Sequence, residues 1–350
     1  MEEIKMNTYP EKIVNEEQLE ELLSRPSAEA IEMFSRTDGD IMFLGVSGKI
    51  GQSLSRMAKR ACDEAGIKKR IIGVALFESS EQQKKIKKSG IETIHGDLLD
   101  TKFMNSLPIV KNVFFLAGMK FGSIDNLGMT WAINSYLPAL VGEHFNQSRI
   151  VAFSTGCVYP LVPVESGGSL ETDGPVAIGE YAQSCLGRER MFEYGSIKYK
   201  TEVALIRLNY SVELRYGVLV DIALKVKNNQ PVDLAMGHFN VIWQGDMNNF
   251  VLRSLEQVKS PAKVLNITGP EILSVREVAT DFAKLFEVKP ILINKEAPTA
   301  LLSNSSQAFS LYGKPKVSID QVIKWIAEWM KEDKGLLGKP THFEVRDGKY

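Results

Sequence analysis

DIMFLGVSGKIGQSLSRMAKRA, residues 40–61, decides the fold. Four apolar residues at 41–44 come directly before Gly45, Gly48 and Gly51, and apolar residues then recur at helical spacing. This order predicts a buried strand, a glycine turn and a helix. The first turn of such a helix has N–H groups without intrahelical partners and lies at the positive end of the helix dipole. The stretch therefore predicts an anion site at the turn.

The three glycines have the spacing G-x-x-G-x-x-G. In a dinucleotide-binding turn, Gly45 allows the sharp change of direction, Gly48 lets a pyrophosphate approach the backbone, and Gly51 lets the helix pack close to the strand. Lys49 and Ile50 lie within the turn and join the glycines as cofactor-binding candidates. A glycine triplet alone is a weak signal, whereas the strand before it and the helix after it strengthen the prediction.

Composition and charge exclude several classes of function. The 350 residues include 42 basic and 43 acidic ones, so no basic excess favours nucleic-acid binding. No apolar run approaches the ~18 residues of a membrane span, and the acidic N-terminus has no signal-peptide core. The three cysteines form no C-x-x-C pair and the four histidines are far apart, so no disulfide framework and no metal site are expected. A cytoplasmic protein is the expectation.

Apolar segments alternate with helical patterns from residue 40 onward. The predicted strands are 40–46, 71–77, 91–95, 112–117, 149–155 and 203–209, and the helices between them are 50–65, 80–88, 100–106, 129–146 and 179–195. Several strands are almost continuously apolar, which is typical of parallel strands covered on both faces. The alternation predicts an α/β fold with a doubly wound parallel sheet of the Rossmann type.

The chain divides into four predicted segments. Residues 1–38 read as a helical N-terminal extension, and residues 39–215 as the dinucleotide-binding Rossmann domain. Residues 216–334 are expected to form a smaller mixed α/β substrate domain, whose strand 264–269 returns to the Rossmann sheet. Residues 335–350 are a tail rich in Gly, Lys and Pro that is expected to wrap the surface.

Further cofactor candidates follow the second and third predicted strands, at the edge where such sheets bind ligands. Glu78 comes slightly later than the acid that usually takes the ribose hydroxyls, but it is close enough to reach them. Asp97, followed by Leu98, either accepts a hydrogen bond from an adenine amino group or caps the next helix. NAD is therefore favoured as cofactor, with NADP as the open alternative.

The segment after the fourth predicted strand holds small residues, Ala117 and Gly118, which let a cofactor pass close to the backbone. Lys120 follows them. It either places a charge near the cofactor's phosphates or ribose, or is a solvated loop lysine.

Two later segments complete a recognisable pattern. STGCVY at 154–159 follows the fifth strand, and GEYAQSC at 179–185 opens a long helix. With GVSGKIG at 45–51, GDL at 96–98 and LAGMK at 116–120, they resemble the extended short-chain dehydrogenase/reductase family. That family includes nucleotide-sugar epimerases and dehydratases such as UDP-galactose 4-epimerase.

The resemblance implies roles for individual residues. Thr155 matches the catalytic Ser/Thr position, Tyr181 matches the catalytic tyrosine that also contacts the cofactor, and Asn134 matches a cofactor-site asparagine. It also implies a homodimer formed through helices 129–146 and 179–195.

The chain departs from the family's Tyr-x-x-x-Lys motif, because Cys185 is the fourth residue after Tyr181. In the family, that lysine holds the nicotinamide ribose and lowers the pKa of the tyrosine. Three interpretations stay open: another cation substitutes, with Lys120 first and Arg188 second; the tyrosine acts mainly as a hydrogen-bond donor; or the site binds cofactor but has lost its chemistry.

Substrate contacts are expected from the second half of the chain. The candidates are polar or aromatic: Asn209, Arg215, Tyr216, His238, Asn240 and Trp243. Asn209 and Arg215 are the expected substrate ligands, and Arg215 has the better case because a guanidinium can hold a phosphate or carboxylate in bidentate fashion. The expected function is hydride transfer between a nicotinamide cofactor and a sugar or nucleotide-sugar hydroxyl or carbonyl. The alternative is a cofactor-binding regulator or scaffold without turnover.

Overall fold

The computed structural model describes residues 9–120, 122 and 125–349. Its strands, in chain order from β1 to β15, are Ile41–Leu44, Ile71–Ala75, Glu92–His95, Asn112–Phe115, Arg149–Thr155, Val162–Pro163, Val203–Leu208, Ser211–Val212, Pro231–Asp233, His238–Phe239, Ile242–Trp243, Lys263–Ile267, Leu273–Ser274, Ile291–Ile293 and Thr299–Ala300. Its helices, from α1 to α13, are Glu16–Leu23, Ala28–Arg36, Lys49–Glu64, Ser80–Lys88, Thr101–Ser106, Leu127–Trp131, Leu137–His144, Gly179–Tyr199, Val218–Lys227, Gln244–Arg253, Val275–Phe286, Ser306–Tyr312 and Ile319–Lys331. A π-helical segment, Ala132–Tyr136, joins α6 to α7.

A seven-stranded parallel sheet forms the centre, in the order β12-β7-β5-β4-β1-β2-β3. Ile41 of β1 is in register with Ile71 of β2 on one side and with Asn112 of β4 on the other. The chain builds the sheet outward to β3 and then crosses back to β4, so the strand order reverses beside β1. Ligands bind at such a switch point, outside the carboxyl ends of the strands. The predicted doubly wound α/β fold is confirmed.

Apolar side chains cover the sheet on both faces. Phe43 and Phe114 stack with ring centroids 4.9 Å apart, on the face that packs against α3 and α10. Phe115 meets Phe192 of α8 edge to face on the opposite side, where α7 also packs. Burial on both faces explains the nearly continuous apolar runs of these strands.

The N-terminal extension and the C-terminal tail both pack against the rest of the molecule. Leu19 and Leu22 of α1 are buried in a second core with α9, α11 and α13, and Phe343 of the tail is only 1% exposed in the same core. The tail is therefore anchored by a buried aromatic ring, which goes beyond the expected surface wrapping. Within the described residues, no helix is long and apolar enough to span a bilayer.

Candidate active site

A cavity of about 670 Å³ lies at the carboxyl ends of β1, β4 and β5. Its wall comes from the glycine turn, the loops that follow β2, β4 and β5, the start of α8, residues 208–216 and the C-terminal tail. Most of the sequence-predicted site residues contribute to it: Gly45, Gly48, Lys49, Ile50, Gly51, Glu78, Gly118, Lys120, Thr155, Tyr181 and Asn209. The fold thus brings together residues that are up to about half the chain apart.

The three glycines of the turn differ in what requires them. A Cβ on Gly45, whose φ is +89°, would lie 2.7 Å from the backbone nitrogen of Ala117, and one on Gly51 would lie 2.6 Å from the carbonyl oxygen of Val46. A Cβ on Gly48 would meet nothing closer than 3.5 Å. Packing therefore requires glycine at positions 45 and 51. At position 48 a side chain would have room, and it would extend into the cavity.

Helix α3 begins directly after Gly48, and no side chain caps its N-terminus. Amide groups of a helix's first turn lack intrahelical acceptors, and they bind anions when nothing else satisfies them. The uncapped turn and the room at Gly48 together fit a dinucleotide's pyrophosphate.

Lys49, the first residue of α3, brings a cation into the cavity. Its Nζ lies 3.9 Å from the centroid of the Tyr216 ring. Burial lowers the pKa of Lys49 to about 8, and the positive charges of Arg215 and Lys120 act in the same direction, against the opposing effect of Glu213. Lys49 is therefore mostly charged at neutral pH, but it loses its charge at a lower pH than an exposed lysine.

Tyr181, in the first turn of α8, lies beside two cysteines. Cys185 is fully buried and packs against it, with Val158 and Tyr159 as further neighbours. Burial raises the pKa of the Tyr181 phenol well above its usual range, Cys185 and Cys157 raise it further, and the Arg188 guanidinium opposes them. The phenol is therefore protonated at neutral pH.

Lys120 and Arg188, the two cations expected to take the place of a lysine at position 185, are both held by carbonyl oxygens. The Nζ of Lys120 lies 6.0 Å from the Tyr181 ring centroid and donates to the carbonyl oxygen of Thr341, 3.0 Å away. Arg188 Nη1 donates to the carbonyl oxygen of Phe153 at 2.8 Å, and Nη2 to Asn134 Oδ1 at 2.7 Å. Both cations line the cavity.

Asn134 lies behind the cavity wall in the π-helical segment and is fully buried. Its amide group accepts from the backbone nitrogen of Met119 and donates to the carbonyl oxygen of the same residue, both at 2.9 Å. It also donates to Ser184 Oγ at 3.0 Å. Asn134 thus ties the loop that carries Lys120 to α8.

Besides the candidates His238, Asn240 and Trp243, four other predicted site residues do not line the cavity. Asp97 accepts from the backbone nitrogen of Leu99 at 2.9 Å, and the N-cap of α5 is Asp100, so the alternative in which Asp97 caps this helix is wrong. Leu98 packs in the core, and Ala117 contributes backbone that lies against Gly45.

The fourth, Arg215, pairs with carboxylates instead of facing the cavity. Its Nη2 lies 2.9 Å from Glu20 of α1, and its Nε 3.2 Å from Glu213. Arg215 therefore joins the N-terminal extension to the rest of the fold and is not among our proposed substrate ligands.

Sequence reasoning missed the contribution of the C-terminal tail. Leu337, Lys339 and Thr341 line the cavity, and Thr341 meets Lys120 across 221 residues of sequence. No local sequence motif predicts such a contact. The only signal in the sequence is that the tail is rich in lysine and glycine.

Solved structures with this fold include several sugar-nucleotide enzymes. UDP-glucose 4-epimerase from Thermotoga maritima, solved with UDP-glucose, has a TM-score of 0.66 and 16% identity, covering 84% of this chain and 99% of its own. The dTDP-glucose 4,6-dehydratase from Streptomyces venezuelae, with NAD bound, has a TM-score of 0.70 and 15% identity, covering 84% and 97%. UDP-glucose 4-epimerase from Thermus thermophilus, in complex with NAD, has a TM-score of 0.66 and 19% identity, covering 83% and 99%.

These likenesses establish the fold. No protein-family model matches the sequence, and a comparison with curated proteins found no match.

Proposed function

We propose that this chain is an NAD-dependent oxidoreductase of the epimerase/dehydratase type, acting on a hydroxyl or carbonyl of a sugar or nucleotide sugar. The observation that carries the proposal is the turn at Gly48, where an uncapped helix N-terminus and unfilled space face a cavity at the switch point of the sheet. Support comes from the solved structures of the same fold that contain NAD.

The residues of the turn would hold the cofactor's pyrophosphate, with Lys49 supplying a positive charge beside it. Glu78 lines the cavity, and its carboxylate would accept from ribose hydroxyls and repel a 2′-phosphate, which favours NAD over NADP. NAD, when bound, supplies a nicotinamide ring that exchanges a hydride with a substrate carbon.

Tyr181 would hold the proton in this chemistry. Because burial keeps the phenol protonated, it would donate to a substrate oxygen and stabilise negative charge that develops there. Thr155 lines the same cavity, and its Oγ1 accepts from the backbone nitrogen of Cys157 at 3.1 Å. That contact orients the Thr155 hydroxyl, whose proton remains available to the same substrate oxygen.

A second candidate function, a cofactor-binding regulator without turnover, is favoured by one observation. Cys185 is the fourth residue after Tyr181, where the resemblance places a lysine. Burial raises the pKa of Tyr181 and the Cys185 thiol raises it further, whereas an ammonium in that place would lower it. A phenol whose pKa is raised stays protonated at neutral pH and cannot accept the proton of an alcohol, so oxidation of an alcohol would be disfavoured. The two functions differ in turnover: the oxidoreductase should show turnover that is lost when Tyr181 is replaced, whereas the regulator should show none.

Association into a homodimer is part of the proposal. The helices expected at the interface expose large side chains: Met129 at 42%, Tyr136 at 54%, Tyr194 at 57% and Ile197 at 56%. Apolar side chains grouped on one surface are typical of protein interfaces. Light scattering of the purified protein tests this, with twice the chain mass expected.

NAD titration by calorimetry tests the proposed cofactor site. The Gly48→Ala variant keeps the fold, because its Cβ has room, but its methyl group occupies the space needed for the pyrophosphate. We expect it to weaken NAD binding at least about tenfold. The control is Gly174→Ala, where a Cβ would meet nothing within 4 Å and which is not part of the cavity wall. Equal NAD affinity in both variants would contradict the proposed site.

A further inference from the structure

Arg188 of α8 is a buried cation, only 6% exposed. Within the described part of the chain, no carboxylate pairs with it, whereas the equally buried Arg207 pairs with Glu189 at 2.8 Å. Burying a charge without an opposite charge beside it is costly. Other groups must therefore hold the Arg188 guanidinium in place.

Neutral oxygens from two elements hold this guanidinium. Its Nη1 donates to the carbonyl oxygen of Phe153 in β5 at 2.8 Å, and its Nη2 donates to Asn134 Oδ1 at 2.7 Å. The Phe115 ring of β4 lies below it, with 5.6 Å between the ring centroid and Cζ. The planar fork of a guanidinium holds two acceptors in a fixed geometry, which a single ammonium group cannot do. Arg188 thus joins α8, β5 and the π-helical segment at one point.

The same Asn134 oxygen also holds the loop after β4, residues 116–120. Asn134 Oδ1 accepts from the backbone nitrogen of Met119 at 2.9 Å as well as from Arg188 Nη2. Gly118 lies against the guanidinium itself, because a Cβ at that position would be 2.7 Å from Nη2. The loop is therefore linked to Arg188 both directly and through Asn134.

This loop forms part of the wall of the proposed cofactor site, since Gly118, Met119 and Lys120 all line the cavity. Asn134, behind the loop, belongs to a π-helical segment, a rare conformation that is frequent at functional sites. A wall that is fixed before the ligand arrives spares the entropy of ordering it on binding. Whatever fixes the loop therefore contributes to the affinity of the cavity for its ligand.

We propose that Arg188 is a positioning residue of the cofactor site. The fork of its guanidinium fixes Asn134 and the loop after β4 against the end of β5, and it thereby raises the affinity for NAD. This inference rests on the proposed function and deepens it. It assigns the effect to the shape of the guanidinium, not to its charge.

The first test is hydrogen exchange of the free full-length protein, measured by mass spectrometry. Arg188→Met removes the guanidinium, and Arg188→Lys keeps the charge without the fork. The matched control is Arg190→Met on the same helix, whose side chain is 49% exposed and lies outside the cavity wall. Peptides that contain Met119 should exchange at least about tenfold faster in both Arg188 variants, as for the loss of one hydrogen bond to a charged group. Peptides of β2 and the Arg190→Met protein should exchange at the wild-type rate.

The second test is calorimetric titration of the same proteins with NAD. Arg188→Met and Arg188→Lys should both bind NAD at least about tenfold more weakly than the wild type, because binding must then order the loop. Arg190→Met should bind NAD with wild-type affinity. A role confined to stability would lower the melting temperature and leave the NAD affinity of the folded protein unchanged.

Gly118→Ala tests the contact from the side of the loop and keeps Arg188 in the chain. Its methyl group would displace Nη2, so it should reproduce the faster exchange at Met119 and the weaker binding of NAD. Combining it with Arg188→Met should add little to either single loss, because both substitutions act on the same contact. Gly118→Ala alone decides the question if the Arg188 variants do not fold.

An unchanged exchange rate at Met119 in Arg188→Met, or in Gly118→Ala where the former does not fold, would overturn the inference. Wild-type NAD affinity in Arg188→Lys would overturn it as well, since the site would then need the charge and not the fork. A wild-type chain that binds no NAD would refute the proposed function, while the exchange measurement would still decide whether Arg188 holds the loop.

Discussion

Lys49 makes the proposed cofactor site sensitive to pH, because its pKa in the free protein is lowered to about 8. About nine-tenths of Lys49 is charged at about pH 7 and about one-tenth at about pH 9. A pyrophosphate beside the ammonium would favour the charged form and raise the pKa of Lys49 in the complex. Binding above about pH 8 therefore requires uptake of a proton.

The coupling between proton uptake and NAD binding determines how much, and in which direction, the NAD affinity changes with pH. The dissociation constant for NAD should rise about tenfold between about pH 7 and about pH 9, the factor by which the charged fraction falls. At about pH 8, binding should take up about half a proton. Calorimetry in two buffers with different ionisation enthalpies measures both quantities.

Two variants at position 49 isolate the lysine. Lys49→Arg keeps a cation that does not titrate in this range, so its NAD affinity should stay constant with pH. Lys49→Met should bind NAD more weakly at about pH 7 and should also show a flat profile. The reasoning is refuted if the wild type has a pH-independent affinity, or if Lys49→Arg has the same pH dependence as the wild type.

Three further predictions concern the surroundings of the site. Glu189→Gln should lower the free energy of unfolding, measured by urea titration, by about 3 kcal/mol. The substitution removes the carboxylate that lies 2.8 Å from the guanidinium of Arg207, which is only 3% exposed. A loss below about 1 kcal/mol would contradict this prediction. Asp246 has a pKa raised by burial to about 6, so the folded state binds its proton more tightly than the unfolded state, and stability should fall as pH rises from about 4 to about 6. The melting temperature of Asp246→Asn should not show that decline between about pH 4 and about pH 6. A variant whose melting temperature changes with pH as the wild type's does would contradict the assignment to Asp246. Tyr181→Phe should retain NAD affinity within about twofold yet lose at least about a hundredfold in the rate of reduced-nicotinamide formation or consumption, whereas unchanged turnover would exclude the phenol from the chemistry.

Local patterns were enough to predict the sheet and the glycine turn. The run at 41–44 is apolar because it is covered on both faces, Gly45 has a φ of +89° in the turn, and Gly51 is required by a contact with the backbone of Val46 in the same βα unit. Such constraints act between residues close in sequence, so periodicity and glycine spacing reveal them.

Contacts between distant segments could not be predicted in this way. The hydrogen bond from Lys120 to Thr341 and the ion pair between Arg215 and Glu20 depend on how the tail and the N-terminal extension pack against the rest of the chain. The π-helical segment that places Asn134 replaces part of what the sequence indicates as one uninterrupted helix over 129–146. None of these features has a local sequence signature, because tertiary packing decides them.

A crystal structure of the protein grown with NAD tests the central claim most directly. We predict that the pyrophosphate lies within hydrogen-bonding distance of the backbone amides of residues 49–51, with the nicotinamide ring beside the Tyr181 phenol. A cofactor bound outside this cavity, or a nicotinamide ring directed away from Tyr181, would contradict the account.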